Sequence, residues 1–359
     1  MSKTAIVLLN LGGPDSPQSI RPFLINFFMD PNIIRLPIPF RCILAWMIAN
    51  RRTKKEAGES YGELGGSSPL LENSKAQAKA LEKLIKAQDK DNKYKTFICM
   101  RYWHPMSPQV VREVRDWGAD NIVLLPLYPQ YSTTTTRSSF QVWMKAALEA
   151  GINIPTKLVC CYPWEEGFIK ASAESVKLQY EKAIEETGKK PRILFSAHGL
   201  PEKIVKDGDP YQWQCEETAR RIMDVLNLDD PDWHVCYQSK VGPQKWLGPS
   251  TEDSIEKAAE DQVPVVILPH AFTQEHVETL VELDVEYREI AEEHKIPGYY
   301  RAHTVGVNEL YIEGLAKLVL ESAKHPDIAP AGGKALCPSG FKECCMNEYN
   351  KTTLFEEAK

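Results

Sequence analysis

Short, continuous apolar runs recur along the chain, and longer stretches with helical spacing separate most of them. In the first half the runs lie near 5–11, 96–101, 121–127 and 156–161; in the second, near 192–197, 234–238, 265–269 and 299–303. Runs such as Val265 to Leu268 are apolar at every position, as expected of parallel strands covered on both faces. An intervening stretch such as Glu72 to Ala87 reads as an amphipathic helix. The alternation predicts an α/β fold of two similar domains, each a four-stranded parallel sheet flanked by helices. The halves echo each other locally: I-V-L-L-P-L-Y (122–128) resembles V-V-I-L-P-H-A (265–271), and M-R-Y-W-H-P (100–105) and Y-Q-S-K-V-G-P (237–243) both follow a short strand. The expected division is 1–170 and 171–306, with 307–359 holding a last helix (307–324), which folds back on the first domain, and a cysteine-bearing tail. An apolar lip over 21–49, broken by prolines and flanked by Arg35, Arg41, Arg51 and Arg52, reads either as core or as a surface for a greasy ligand or a membrane.

The 359 residues, 43% hydrophobic, suffice for two domains with real cores. A net charge of -6 argues against nucleic acid as a partner. No apolar run approaches the roughly 20 residues that span a bilayer, and Thr4 to Leu11 is strand-like without a cleavage pattern. The expected location is therefore cytoplasmic, with membrane contact at most peripheral. Nine cysteines in such a chain point to thiols or metal ligands rather than disulfides.

In open parallel sheets ligands gather at the carboxyl ends of strands. There stand Gly12-Gly13, Arg101-Tyr102-Trp103-His104, Tyr128 to Ser132, His198, Gln238-Ser239-Lys240 and His270. The glycine pair lacks the spacing of a phosphate loop and reads as a tight turn. After the strand at 265 come Glu275 and His276, then Glu278, Glu282 and Glu286 at four-residue spacing. The stripe is either a solvated acidic face or a path for a divalent cation or for protons. His198 is a general base or metal ligand, or else a histidine bonded to loop backbone. His270 and His104 are candidates for the same pocket, whereas His303 ends a strand without acidic company. A serine hydrolase is disfavoured, since no G-x-S-x-G elbow occurs. Cys337, Cys344 and Cys345 have the density of a zinc or iron–sulfur site, with Cys160 or Cys161 as a further ligand, or else are idle thiols.

Taken together, L-L-N-L-G-G-P (8–14), R-Y-W-H-P (101–105), L-Y-P-Q-Y-S (127–132), F-S-A-H-G-L-P (195–201), G-D-P-Y (208–211), Q-S-K-V-G-P (238–243), W-L-G-P (246–249) and H-V-E-T-L-V-E-L-D-V-E-Y (276–287) resemble the ferrochelatases over nearly the whole chain. The resemblance implies a duplicated Rossmann-like chelatase fold with a porphyrin between the domains and Fe(II) as substrate. It implies that His198 and Glu278 face each other across the porphyrin as iron ligand or proton acceptor. Glu275, Glu282, Glu286 and His276 would extend or steady the acidic path, along a helix distorted toward π geometry. Arg101, Tyr102, Tyr128, Ser132 and Trp246 match pocket positions. Leu11 occupies a position where coproporphyrin-preferring relatives carry tyrosine, which favours protoporphyrin IX. Coproporphyrin, or cobalt or nickel and a related tetrapyrrole, is the neighbouring alternative; a haem or metal carrier is the non-enzymatic one. The tail resembles those of relatives with a 2Fe-2S cluster, but Cys344 and Cys345 are adjacent and Thr133-Thr134 stand where the family's fourth cysteine usually lies. Cys161 (or Cys160) is then the fourth ligand. The family contains monomers and homodimers.

Overall fold

The structure is a computed structural model that describes residues 1–55, 61–62, 64–240 and 242–348; Val241 of the Q-S-K-V-G-P motif and the end of the tail, 349–359, lie outside them. Its strands are β1 (Lys3–Asn10), β2 (Lys93–Met100), β3 (Asn121–Pro126), β4 (Thr156–Val159), β5 (Arg192–His198), β6 (Trp233–Gln238), β7 (Val265–Leu268), β8 (Tyr299–Arg301) and β9 (Ile328–Ala329). They form two all-parallel sheets, ordered β2-β1-β3-β4-β9 and β6-β5-β7-β8. Both begin with the same 2-1-3-4 order, the architecture expected from the repeated pattern. The first sheet also carries a fifth strand. β9 is two residues long, too short to register as a periodic run, and pairs with β4 at Leu158 and Val159.

The central strands β1, β3 and β7 are apolar over most of their length because helices cover both faces. Ala5 to Leu9 are at most 1% exposed, and Val265 to Leu268 at most 2%. The helix Leu70–Gln88 packs on β2 and on the last long helix, Glu309–Ser322, which indeed folds back on the first half. The helix Glu166–Thr187 runs unbroken across residues 170 and 171 and packs on β7, β8, the helix Tyr211–Leu226 and the last long helix. It starts where the Glu165 side chain accepts from Phe168 N and ends at Gly188 in the left-handed conformation.

Buried polar side chains stitch the halves together. Asn10 Nδ2 donates to Gln274 Oε1 (3.0 Å), Gln274 to Gln77 (2.5 Å), and Gln77 to the carbonyls of Thr273 and Gly306. Gln130 donates to Thr218 Oγ1, Gln214 accepts from Tyr131 N, and Asp209 accepts from Ser132 Oγ and from the amide and hydroxyl of Thr133. No helix among the described residues is long and apolar enough to cross a membrane.

Candidate active site

His198 is the last residue of β5, at the point where the order of the second sheet reverses between β5 and β7. The crevice rule places ligands there. Its Nδ1 lies 3.3 Å from Glu278 Oε2, without hydrogen-bond geometry, and the two side chains keep 34% and 29% exposure. Solvent therefore reaches both side chains, and at 3.3 Å no ring fits between them, so they stand together rather than on opposite faces of a porphyrin, which corrects the expectation that they face each other across it. Burial works against charge on His198, but the Glu278 and Glu282 carboxylates outweigh it and raise its pKa above the ordinary 6.5. Burial also opposes charge on Glu278, yet His198 above all, helped by Arg52, holds its carboxyl down at about 2.

Glu278 owes its position to the short helix Val277–Leu280. His276 caps that helix: its Nδ1 accepts from Glu278 N (3.1 Å), while Thr279 Oγ1 accepts from His276 N (2.9 Å). An Nδ1 that accepts carries no proton, and burial lowers the pKa of this ring, so His276 is the neutral Nε2–H form. A π-turn, Glu282–Glu286, follows, with Glu286 N bonded to Val281 O at 3.0 Å. Glu282 accepts four hydrogen bonds, from Gln238 Nε2 (2.9 Å), Ser239 N (2.7 Å), Ser239 Oγ (2.6 Å) and the Tyr287 hydroxyl (2.9 Å). Burial is the leading influence on its carboxyl and leaves its pKa raised. Glu286 is exposed. The three glutamates thus run from a partner of His198, through a hydrogen-bonded carboxyl, to the surface.

Glu275 is turned elsewhere: it accepts two hydrogen bonds from Arg301 Nη1 (2.9 and 3.0 Å) and others from the amide and hydroxyl of Thr304. His303, expected to lack acidic company, has Glu275 Oε1 at 3.7 Å, brought there by this same cluster. His270 is 1% exposed, with its ring nitrogens 3.2 Å from the carbonyls of Ser196 and Cys215. Burial lowers its pKa to about 4, so it is a neutral ring braced on backbone. His104 is exposed.

The apolar wall comes mostly from the first half, with Val277 from the second. Leu11, Phe27, Trp103 and Val277 pack on a cluster of Ile20, Phe23, Leu24, Phe28 and Tyr102. Gly12 turns the chain out of β1 at φ +85°, where a Cβ would meet Trp103 N at 3.1 Å. Beneath the wall lies Asp30, which the sequence reading missed. Its Oδ2 accepts from Arg101 Nη2 (2.9 Å), the Tyr102 hydroxyl (2.7 Å) and Ser138 Oγ; its Oδ1 accepts from Asn32. Asp30 is the only acid between Asp15 and Glu56, a signal that was available. Arg101 and Tyr102 are thus held by the lip itself, and Tyr102 is 0% exposed. The Tyr128 hydroxyl lies 3.3 Å from Ser139 Oγ. Ser132 is buried on Asp209 and caps the π-turn Thr133–Arg137, so it joins the halves. Trp246 is half-buried over Gly199, whose Cβ would stand 3.2 Å from its ring, next to His198.

At the end of β4 the tail folds back. Cys160 and Cys345 form a disulfide across 185 residues, with Cα atoms 6.6 Å apart. This corrects the expectation of thiols without disulfides: two fully buried cysteines distant in sequence come within bonding reach. Cys161 and Cys344 are buried beside them, and Gln214 Nε2 lies 3.6 Å from Cys161 Sγ and 3.2 Å from Cys337 Sγ. A hydrogen bond from Cys337 pulls the Cys344 thiol below its ordinary range. Among the described residues no three acidic, histidine or thiol side chains form a ready-made metal site.

A family model described as Ferrochelatase matches residues 3–323. A Ferrochelatase from Pelagibacter ubique (strain HTCC1062) is 43% identical over 349 residues, 96% of this chain and 99% of that one. Another from Rickettsia bellii (strain OSU 85-389) is 45% identical over 353 residues, 97% of this chain and 96% of that one. A third, from Wolbachia sp. subsp. Brugia malayi (strain TRS), is 47% identical over 343 residues, 89% of this chain and 99% of that one. With the family model covering most of the chain and these relatives matching nearly the full length on both sides, the chain belongs to the ferrochelatase family.

Proposed function

We propose that the chain inserts Fe(II) into protoporphyrin IX, releasing two protons to make protohaem, the terminal step of haem synthesis. The observation that carries this is the solvent-reached His198–Glu278 pair, with Nδ1 and Oε2 3.3 Å apart. Metallation needs two pyrrole N–H protons to leave as iron enters. A flat ring keeps its nitrogen lone pairs in its own plane, so the cleft must hold it bent; such strain is of order 1–5 kcal/mol. An imidazole kept basic by neighbouring carboxylates takes the protons, and the glutamate series passes them outward. Imidazole and carboxylate also hold ferrous iron loosely enough to give it up, unlike a closed thiolate cage. Leu11, Phe27, Trp103 and Val277 offer an apolar wall, which suits the vinyl edge of protoporphyrin better than the extra carboxylates of coproporphyrin. Anaerobic incubation with ferrous iron and protoporphyrin should develop a haem spectrum. Turnover confined to cobalt or nickel, or to coproporphyrin, would move the assignment within the chelatases; binding without turnover would make the chain a carrier.

The lip supports peripheral membrane contact. Ile38, Phe40, Ile43, Trp46 and Met47 are 54–64% exposed on one helix, Ile38–Lys55, which carries arginines and no acid. Co-sedimentation with vesicles containing anionic lipid should weaken in a Phe40→Ser/Trp46→Ser variant. Equal pelleting of variant and wild type would remove this reading.

The tail supports a 2Fe-2S cluster held by Cys161, Cys337, Cys344 and Cys345. Four thiolates is the number such a cluster takes, and the four side chains share one buried region. The fit requires the Cys160–Cys345 bond to be reduced. The cluster would supply no step of the metallation described above. Anaerobically purified protein should show cluster absorption, lost in Cys344→Ser; a colourless protein holding zinc would refute it.

A further inference from the structure

Arg301 ends β8, and its side chain is only 4% exposed. A buried guanidinium needs its charge and its five donors matched. Here Nη1 takes both oxygens of Glu275 (2.9 and 3.0 Å), Nε takes Asp284 Oδ1 (2.5 Å), and Nη2 lies 3.2 Å from His303 Nδ1. The two carboxylates bracket one stretch of chain. Glu275 precedes the capped helix Val277–Leu280, and Asp284 sits inside the π-turn. Between them lie His276, Glu278 and Glu282. Glu275 is fixed a second time, by Thr304 N (2.9 Å) and Thr304 Oγ1 (3.1 Å), next to the end of the same strand.

We propose that Arg301 is a positioning residue for the metallation reaction: one planar guanidinium grips both ends of the segment that carries Glu278 and sets its distance from His198. The inference rests on the function proposed above. A π-turn is less regular than an α-helix and needs neighbours to over-determine it. A fork on a sheet strand provides that, because β8 is itself bonded to β7 at Val265, Val266 and Ile267. Lysine offers a point charge in place of a fork and reaches one carboxylate at a time, so charge and grip can be separated.

The experiment compares wild type with Arg301→Lys and Asp284→Asn. Asp284 is 28% exposed, so its variant keeps the fold even where the arginine variant does not. Steady-state metallation should show kcat lowered about tenfold or more in Arg301→Lys, within the range a 1 Å misplacement produces, and several-fold in Asp284→Asn. The KM for porphyrin should change by much less than kcat, since Leu11, Phe27 and Trp103 of the apolar wall belong to the other half of the molecule and only Val277 lies in the gripped segment. Amide hydrogen exchange should quicken over residues 275–286 alone. Unchanged kcat in either folded variant would overturn the proposal. So would exchange that quickens across the whole second sheet, or kcat and KM that worsen together, which mark general loosening. A wild type that makes no haem would refute the function instead, and the exchange pattern would still report on the clamp.

Discussion

Replacing His198 by alanine is expected to leave the fold and porphyrin binding intact and to lower metallation by about 10²–10⁴-fold, the usual reach of a positioned acid–base group. The side chain is 34% exposed and stands at a strand end, so its loss opens no core cavity. What is lost is the base facing the ring; with it go the His198 charge and contact that hold the Glu278 carboxyl down, so Glu278 shifts upward in this variant and is the acceptor that would account for any residual rate. Stopped-flow metallation, with porphyrin fluorescence quenching as the binding control, separates the two effects; retention of more than about a tenth of the wild-type rate would contradict the assignment. The pH profile carries the sign. The folded pKa of His198 lies above 6.5, so the rate should fall as pH drops through that raised value and the imidazole protonates. In Glu278→Gln the largest raising influence is gone while burial still opposes charge, so the acid limb should move to lower pH. A limb that stays put would mean that another group sets it.

Asp30→Ala is expected to destabilise the chain by about 3–5 kcal/mol, the range for removing one partner of a buried ion pair. The substitution strands the Arg101 guanidinium, 13% exposed, together with the Tyr102 hydroxyl and Ser138 Oγ. Asp30→Asn, which keeps an acceptor but loses the charge, should fall between. The loss should also reach the substrate, because Tyr102 belongs to the apolar cluster that Leu11 and Val277 pack against. Denaturant midpoints and porphyrin affinity should therefore fall together. An Asp30→Ala protein within about 1 kcal/mol of wild type would show that the network adds little.

The parts of the molecule legible in sequence are those whose signal is local. Eight strands announce themselves as apolar runs, and His198 was found because it follows one of them directly. The glutamate spacing was visible, and so was the chance that it meant only a wet surface. The remainder depends on residues far apart in the chain. Asp30 meets Arg101 across 71 positions, Arg301 meets Glu275 across 26, and Cys160 meets Cys345 across 185. No periodicity encodes such pairings. Ser132 has the same lesson: it lies at a strand end like the pocket residues, yet Asp209, 77 positions on, draws it into the seam between the halves. β9 escaped notice because two residues have no period.

That seam has a bearing on how a ring gets in and out. Swinging the halves apart would bare Gln77, Gln130, Gln214 and Asp209, each at most 2% exposed, and break the bonds they make across the joint. The tail straps the same joint, with Arg137 held by Glu343 and the Glu343 amide on Gly208 O. Opening at this joint therefore costs the bonds that fill it, and the two halves are expected to stay together as ligands come and go.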